Sequence, residues 1–133
     1  MILLDTHVLL WLAEDNPDLG RRVARLVDAA LHRDEIMVSA ISFWEIAMLA
    51  DKRRLRLDMT PAAMRRKVLD QGVREVALDG TIGIAAAQLT GLHGDPADRM
   101  IVASALSIDA TLVTADDPLL RWRGPLKTLD ARH

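Results

Sequence analysis

Asp5, Glu45, Asp98 and Asp116 are the side chains of this sequence whose type and placement could do chemistry together. Asp5 ends the apolar run "MILL", Glu45 closes "SFWE", Asp98 closes "DPAD", and Asp116 with Asp117 follows "TLVTA". Taken singly, most have a structural explanation. "SFWE" spells a capping box, with Ser42 as cap and Glu45 reaching back to it. In "DPAD", Asp95 would cap a helix that opens on Pro96, and Asp98 would favour the positive helix end. "DDP" is a turn sequence. Asp5 fits such explanations least, because a carboxylate emerging from a buried run is costly unless something pairs with it. Taken together, acids converging on one crevice would repel and raise one another's pKa values unless a cation joined them. An all-oxygen ligand set suits Mg²⁺ or Mn²⁺ and argues against zinc or copper. His7, His32, His93 and His133 show no zinc-ligand spacing and read as surface residues or as supports behind the acids. There is no Gly-rich phosphate loop and no Ser–His–Asp order. An acidic Mg²⁺ site generates hydroxide from water and stabilises charge on phosphoryl oxygens, so the expected reaction is hydrolysis of a phosphodiester by a metal-activated water.

Something must bring these acids together, and the pattern of elements supplies it. Ile2 to Leu4 reads as a buried strand and Thr6 to Ala13 as a helix. A helix with Leu19, Val23, Leu26, Val27 and Ala30 on one face is expected over Asp18 to His32. Ile36 to Ala40 is the next strand, followed by a helix from Phe43 to about Asp51. Thr60 and Pro61 open a helix that Gly72 closes, and "VREVAL" reads as a third strand. Helices over Thr81 to Leu89 and Pro96 to Ser107 follow, with "TLVTA" a fourth strand and "LKTL" a short fifth. Strands alternating with helices imply right-handed crossovers and a mostly parallel sheet of about five strands between two helical layers, an α/β/α fold. Ligands in such sheets bind beyond the carboxyl ends of the strands, the edge to which all four acids are assigned.

The chain has 133 residues, read as a single domain over 1–133. Aromatic residues make up only 3 %, so aliphatic side chains must build the core. The absence of cysteine removes disulfides and thiolate chemistry and suits a reducing compartment. No signal peptide is visible and the apolar stretch Val8 to Ala13 is far too short to span a bilayer, so a cytoplasmic protein with no membrane contact is expected. The net charge of −2 conceals basic clusters at Arg21, Arg22 and Arg25, at Lys52 to Arg56, and at Arg65 to Lys67. They read as solvated helix faces or as a rim suited to a polyanion.

Four stretches carry a family resemblance: "LLDTHVLLW" (Leu3 to Trp11), "VSAISFWEIAML" (Val38 to Leu49), "HGDPADRMIVASAL" (His93 to Leu106) and "LVTADDPL" (Leu112 to Leu119). In this order the chain resembles the PIN-domain ribonucleases, and within them the VapC-type toxins of bacterial toxin–antitoxin pairs. The resemblance implies a Mg²⁺- or Mn²⁺-dependent endoribonuclease whose four acids fall on Asp5, Glu45, Asp98 and Asp116. It implies Asp5 and Asp98 as direct metal ligands, Asp116 completing the metal site, and Glu45 positioning water. Thr6, Ser39 and Thr114 would be hydroxyl neighbours, or would serve only as ordinary caps and strand ends. Asp95 and Asp117 lie close enough in sequence to share the metal. His7 departs from the asparagine of many relatives. Arg99 would support the acids or touch phosphate, or be a plain surface arginine.

The resemblance also implies a homodimer and an antitoxin partner whose helix lies in an apolar groove. Leu9, Leu10, Trp11, Leu12, Trp44, Met48 and Leu49 are the candidate lining, with core packing the better reading for Leu9, Leu12 and Leu49. Trp11 and Trp44 would be partly exposed anchors. The competing reading is a catalytically silent RNA-binding or interaction module on the same fold. A phosphotransferase with Asp5 as nucleophile ranks low, because His7 stands where a second aspartate would be needed.

Overall fold

Three apolar residues, Ile2–Leu4, form the first strand, β1, and parallel pairing on both sides makes it the centre of the sheet. The computed structural model describes every residue from Met1 to His133. The strands β2 (Ile36–Ser39), β3 (Arg74–Val76), β4 (Thr111–Thr114) and β5 (Lys127–Asp130) complete a five-stranded sheet in the order β3-β2-β1-β4-β5. Every pairing is parallel. Seven helices surround it: α1 (Thr6–Ala13), α2 (Arg21–His32), α3 (Ala40–Asp51), α4 (Pro61–Asp70), α5 (Gly80–Gln88), α6 (Pro96–Ser107) and α7 (Asp117–Arg121). None is long and apolar enough to cross a membrane.

Successive strand residues point to opposite faces, and both faces are covered. Leu4, Ile36, Val38 and Val113 pack with Val8 and Leu9 of α1, Val23 and Val27 of α2, Ile46 of α3, and Met64 and Val68 of α4. Leu3 and Leu112 pack on the other face with Ile101, Val102 and Ala105 of α6 and Leu119 of α7. The largest fully buried side chains are all leucine, isoleucine or valine, as the scarcity of aromatics requires.

The strand order places the site. From β1 the chain adds β2 and then β3 on one side, and later returns to lay β4 against the other side of β1. The β1/β4 junction is therefore the point where the order reverses, and a crevice opens there beyond the carboxyl ends.

The boundaries differ from the sequence expectations where capping differs. α3 starts at Ala40, not Phe43, because β2 runs straight into it and the Ser39 hydroxyl caps it, accepting the Ile41 N–H at 3.2 Å. Ser42 is therefore buried inside the helix and the expected Ser42–Glu45 capping box does not form. α2 starts at Arg21 with Gly20 as its cap, while Asp18 closes a turn on the Asn16 side chain at 2.9 Å. "DDP", read as a turn, opens the short helix α7. Gly72 closes α4 with φ +103°, a conformation glycine adopts without penalty.

Candidate active site

Asp5 lies at the reversal point, its N–H donating to Val113 O across the β1/β4 junction at 3.0 Å. It caps α1, Oδ1 accepting the Thr6 N–H at 2.8 Å. Its Oδ2 accepts the Thr114 hydroxyl at 2.6 Å. The same hydroxyl accepts the N–H of Asp116 at 3.0 Å, so the last residue of β4 ties the two acids together. Asp5 is 6 % exposed, and burial raises its pKa against the lowering effect of the Thr114 and Thr6 hydrogen bonds. Each oxygen still keeps a lone pair beyond its one hydrogen bond.

The remaining acids come from three different helices. Glu45 lies beyond the first turn of α3, which packs against both α1 and α6. Its Oε1 is buried with no hydrogen-bond partner. The nearby Thr6 hydroxyl donates to Ser42 Oγ at 2.8 Å. Burial is the larger effect and raises the Glu45 pKa against the lowering effect of the Thr6 side chain, with the Asp5 and Asp95 charges adding to the rise. Asp98 sits in the first turn of α6, where burial and the charges of Asp5, Asp95, Asp116 and Glu45 push its pKa up to about 7. Asp116 stands before α7, and its buried Oδ2 also lacks a partner.

Two acids close in sequence have other work. Asp95 caps α6, accepting the Asp98 N–H at 3.1 Å. Asp117 pairs with Arg132 at 2.8 Å. Ser39 serves as a cap and Thr6 bonds Ser42, whereas Thr114 alone of the three hydroxyls bonds an acid of the site.

His93 is the residue that the sequence reading left at the margin. Its Nε2 lies 3.4 Å from Asp98 Oδ2 and 3.8 Å from Asp116 Oδ2. Ligand atoms of His93, Asp98 and Asp116 all fall within 4.8 Å of one another. The only signal in the sequence is its position two residues before the α6 cap. Arg99 touches none of the acids. Its guanidinium donates to the carbonyls of Ala86, Ala87, Leu89, Leu92 and His93 at 2.7–3.3 Å, closing the end of α5 and holding the loop that carries His93. The reading of Arg99 as a support of the acids or a phosphate contact is corrected accordingly.

The apolar residues considered for a partner groove divide. Leu9 and Leu10 belong to the core, Trp11, Leu12, Met48 and Leu49 are half-buried, and Trp44 is 54 % exposed.

Two buried carboxylate oxygens without donors, beside a third acid whose proton is held to near neutrality by burial and by like charges, form a site that fits a hard divalent cation. Asp98, Asp116 and His93 could hold it directly, with Asp5 beside them.

The family profile described as PIN domain matches residues 2–124. The chain is 34 % identical over 125 residues to Ribonuclease VapC22 of Mycobacterium tuberculosis, covering 93 % of each. Its fold is similar to a chain of VapBC2 from Rickettsia felis bound to a promoter DNA fragment (TM-score 0.72, 18 % identity, 97 % and 98 % covered). It is similar also to a chain of a toxin-antitoxin complex from Klebsiella pneumoniae (TM-score 0.65, 20 % identity, 98 % of each covered).

Proposed function

The chain belongs to the PIN domain family, and on that premise we propose that it is a Mg²⁺- or Mn²⁺-dependent endoribonuclease, the toxin of a toxin–antitoxin pair. The observation that carries the reading is the crowding of Asp5, Glu45 and Asp116 around Asp98, whose proton their charges help to retain, with Glu45 Oε1 and Asp116 Oδ2 left without donors. The family and the ribonuclease relative support the reaction class, and the toxin-antitoxin complex of similar fold supports the kind of partner.

In this reading Asp98 and Asp116, with Asp5 beside them and His93 within reach of both, would hold the cation, which when bound would lower the pKa of water and offset charge on the phosphoryl oxygens. Thr114 fixes the Asp5 carboxylate at 2.6 Å and sets the backbone that carries Asp116, so the Asp5 carboxylate is already in place. Glu45 accepts a proton from the attacking water at its free Oε1. Its raised pKa makes it a stronger base than an exposed glutamate. Trp44, more than half exposed, is an anchor for the antitoxin. We take the chain as a single domain acting on RNA in the cytoplasm, and as a homodimer on the family resemblance alone.

The test is incubation of the antitoxin-free protein with total cellular RNA and Mg²⁺ or Mn²⁺, beside Asp5→Asn. We expect discrete cuts that fall at least 100-fold in the variant. Cuts that persist in Asp5→Asn would remove it from the site, and no cuts by metal-loaded wild type would favour the catalytically silent reading.

A further inference from the structure

Beside the acids lies an open cavity of about 390 Å³ lined by Asp5, His7, Trp11, Ala115, Asp116 and Arg132. Asp5 and Asp116 are walls it shares with the proposed reaction centre. Trp11 and His7 stand four residues apart on one flank of α1 and so line the cavity from the same side. Arg132 contributes the other planar group. Its guanidinium is bidentate to Asp130, at 2.8 Å from each nitrogen, and also reaches Asp117 at 2.8 Å. A charge already shared between two carboxylates is poorly placed to clamp a phosphate, but three fixed bonds hold the guanidinium as a rigid plane. Its pKa is raised by those partners, and in turn it holds the Asp130 carboxyl down at about 2.

The backbone on either side of Arg132 is anchored as well. Gly20 N–H donates to Ala131 O at 2.8 Å and Arg22 N–H to His133 O at 3.1 Å. A Cβ at Gly20 would run into the backbone of Arg132 and His133. The close approach that seats Arg132 thus depends on a glycine, and the acid chemistry makes no use of it.

Single-stranded RNA is gripped by stacking its bases on aromatic rings and on arginine planes. We propose that this cavity is a nucleobase subsite: it receives the base next to the scissile phosphodiester, with Trp11 and Arg132 as its stacking surfaces. The subsite rests on the endoribonuclease reading and deepens it, because the base would fix which phosphodiester reaches the acids.

The experiment measures binding of a fluorescent single-stranded oligouridine, and of an abasic ribose-phosphate oligomer of equal length. It uses the full chain in Ca²⁺, with melting temperature and circular dichroism as checks of fold. Wild type is expected to prefer the base-bearing strand. Trp11→Ala and Arg132→Lys, the latter keeping charge but losing the plane, should each weaken oligouridine binding about 5- to 100-fold. Binding of the abasic strand should stay within about twofold, and Trp11→Phe should restore most of the loss. Equal losses on both strands, or none on either, would overturn the subsite while leaving the nuclease reading intact. A wild type that neither binds nor cuts RNA with Mg²⁺ or Mn²⁺ would overturn both.

Discussion

Asp98 carries the plainest residue-scale consequence of crowding acids without a counter-ion. The folded protein holds the Asp98 proton up to about pH 7, whereas the unfolded chain releases it near 3.8. Between those values the folded state binds more protons, so this group's stabilisation is full below pH 3.8 and is lost as pH rises toward 7. In the metal-free protein we expect Asp98→Asn to flatten that fall. After discounting for its partial exposure to solvent, the gain is about 1–2 kcal/mol at pH 8, read as a higher melting temperature. A variant no more stable than wild type at pH 8 would contradict this. Glu45→Gln keeps the shape but removes the proposed base, and should lower the cleavage rate by about 100-fold or more while leaving metal-induced stabilisation in place. Rates at several pH values check it. Asp5, Asp98 and Asp116 were legible in the sequence because each follows a strand or opens a helix, whereas Glu45 was assigned to a helix start that the structure moves. His93 was not legible, because nothing in "HGDPAD" says which way a loop side chain turns.

At the scale of elements, Arg99 shows how a residue near an active site can act wholly through the backbone. Helix C-termini leave carbonyls without donors, and one guanidinium closes those of α5 together with two in the following loop. Arg99→Ala is expected to cost about 2–4 kcal/mol in urea unfolding. Arg99→Lys should recover less than half of that, because an ammonium lacks the planar fork. Helix starts were legible where a cap was followed by proline, as at Thr60–Pro61 and Asp95–Pro96. The start of α3 was not, since both Ser39 and Ser42 are sound caps in sequence and only the direct run of β2 into the helix decides between them. That three-residue difference moves Glu45 out of the first turn and leaves its carboxyl free for the site.

For the whole molecule, the four acids form one electrostatic unit, and a cation that binds it stabilises the fold by mass action. Millimolar Mg²⁺ or Mn²⁺ is expected to raise the wild-type melting temperature by several degrees, and to have little effect on an Asp5→Asn/Asp98→Asn double variant. Equal shifts in both proteins would mean that the metal binds elsewhere. The sequence by itself determined the alternation of strands and helices, the aliphatic core and the placing of Asp5, Asp98 and Asp116 at strand ends and helix starts, because periodicity, capping and proline are local signals. Only the tertiary structure decided the strand order β3-β2-β1-β4-β5, and with it the reversal beside β1 where Asp5 and Asp116 share the Thr114 hydroxyl. It also decided that Asp117 turns to Arg132 while Asp116 faces the acids. Those choices follow from which surfaces pack against which, and residues far apart in the chain acquire a common environment only when the layers close on one another.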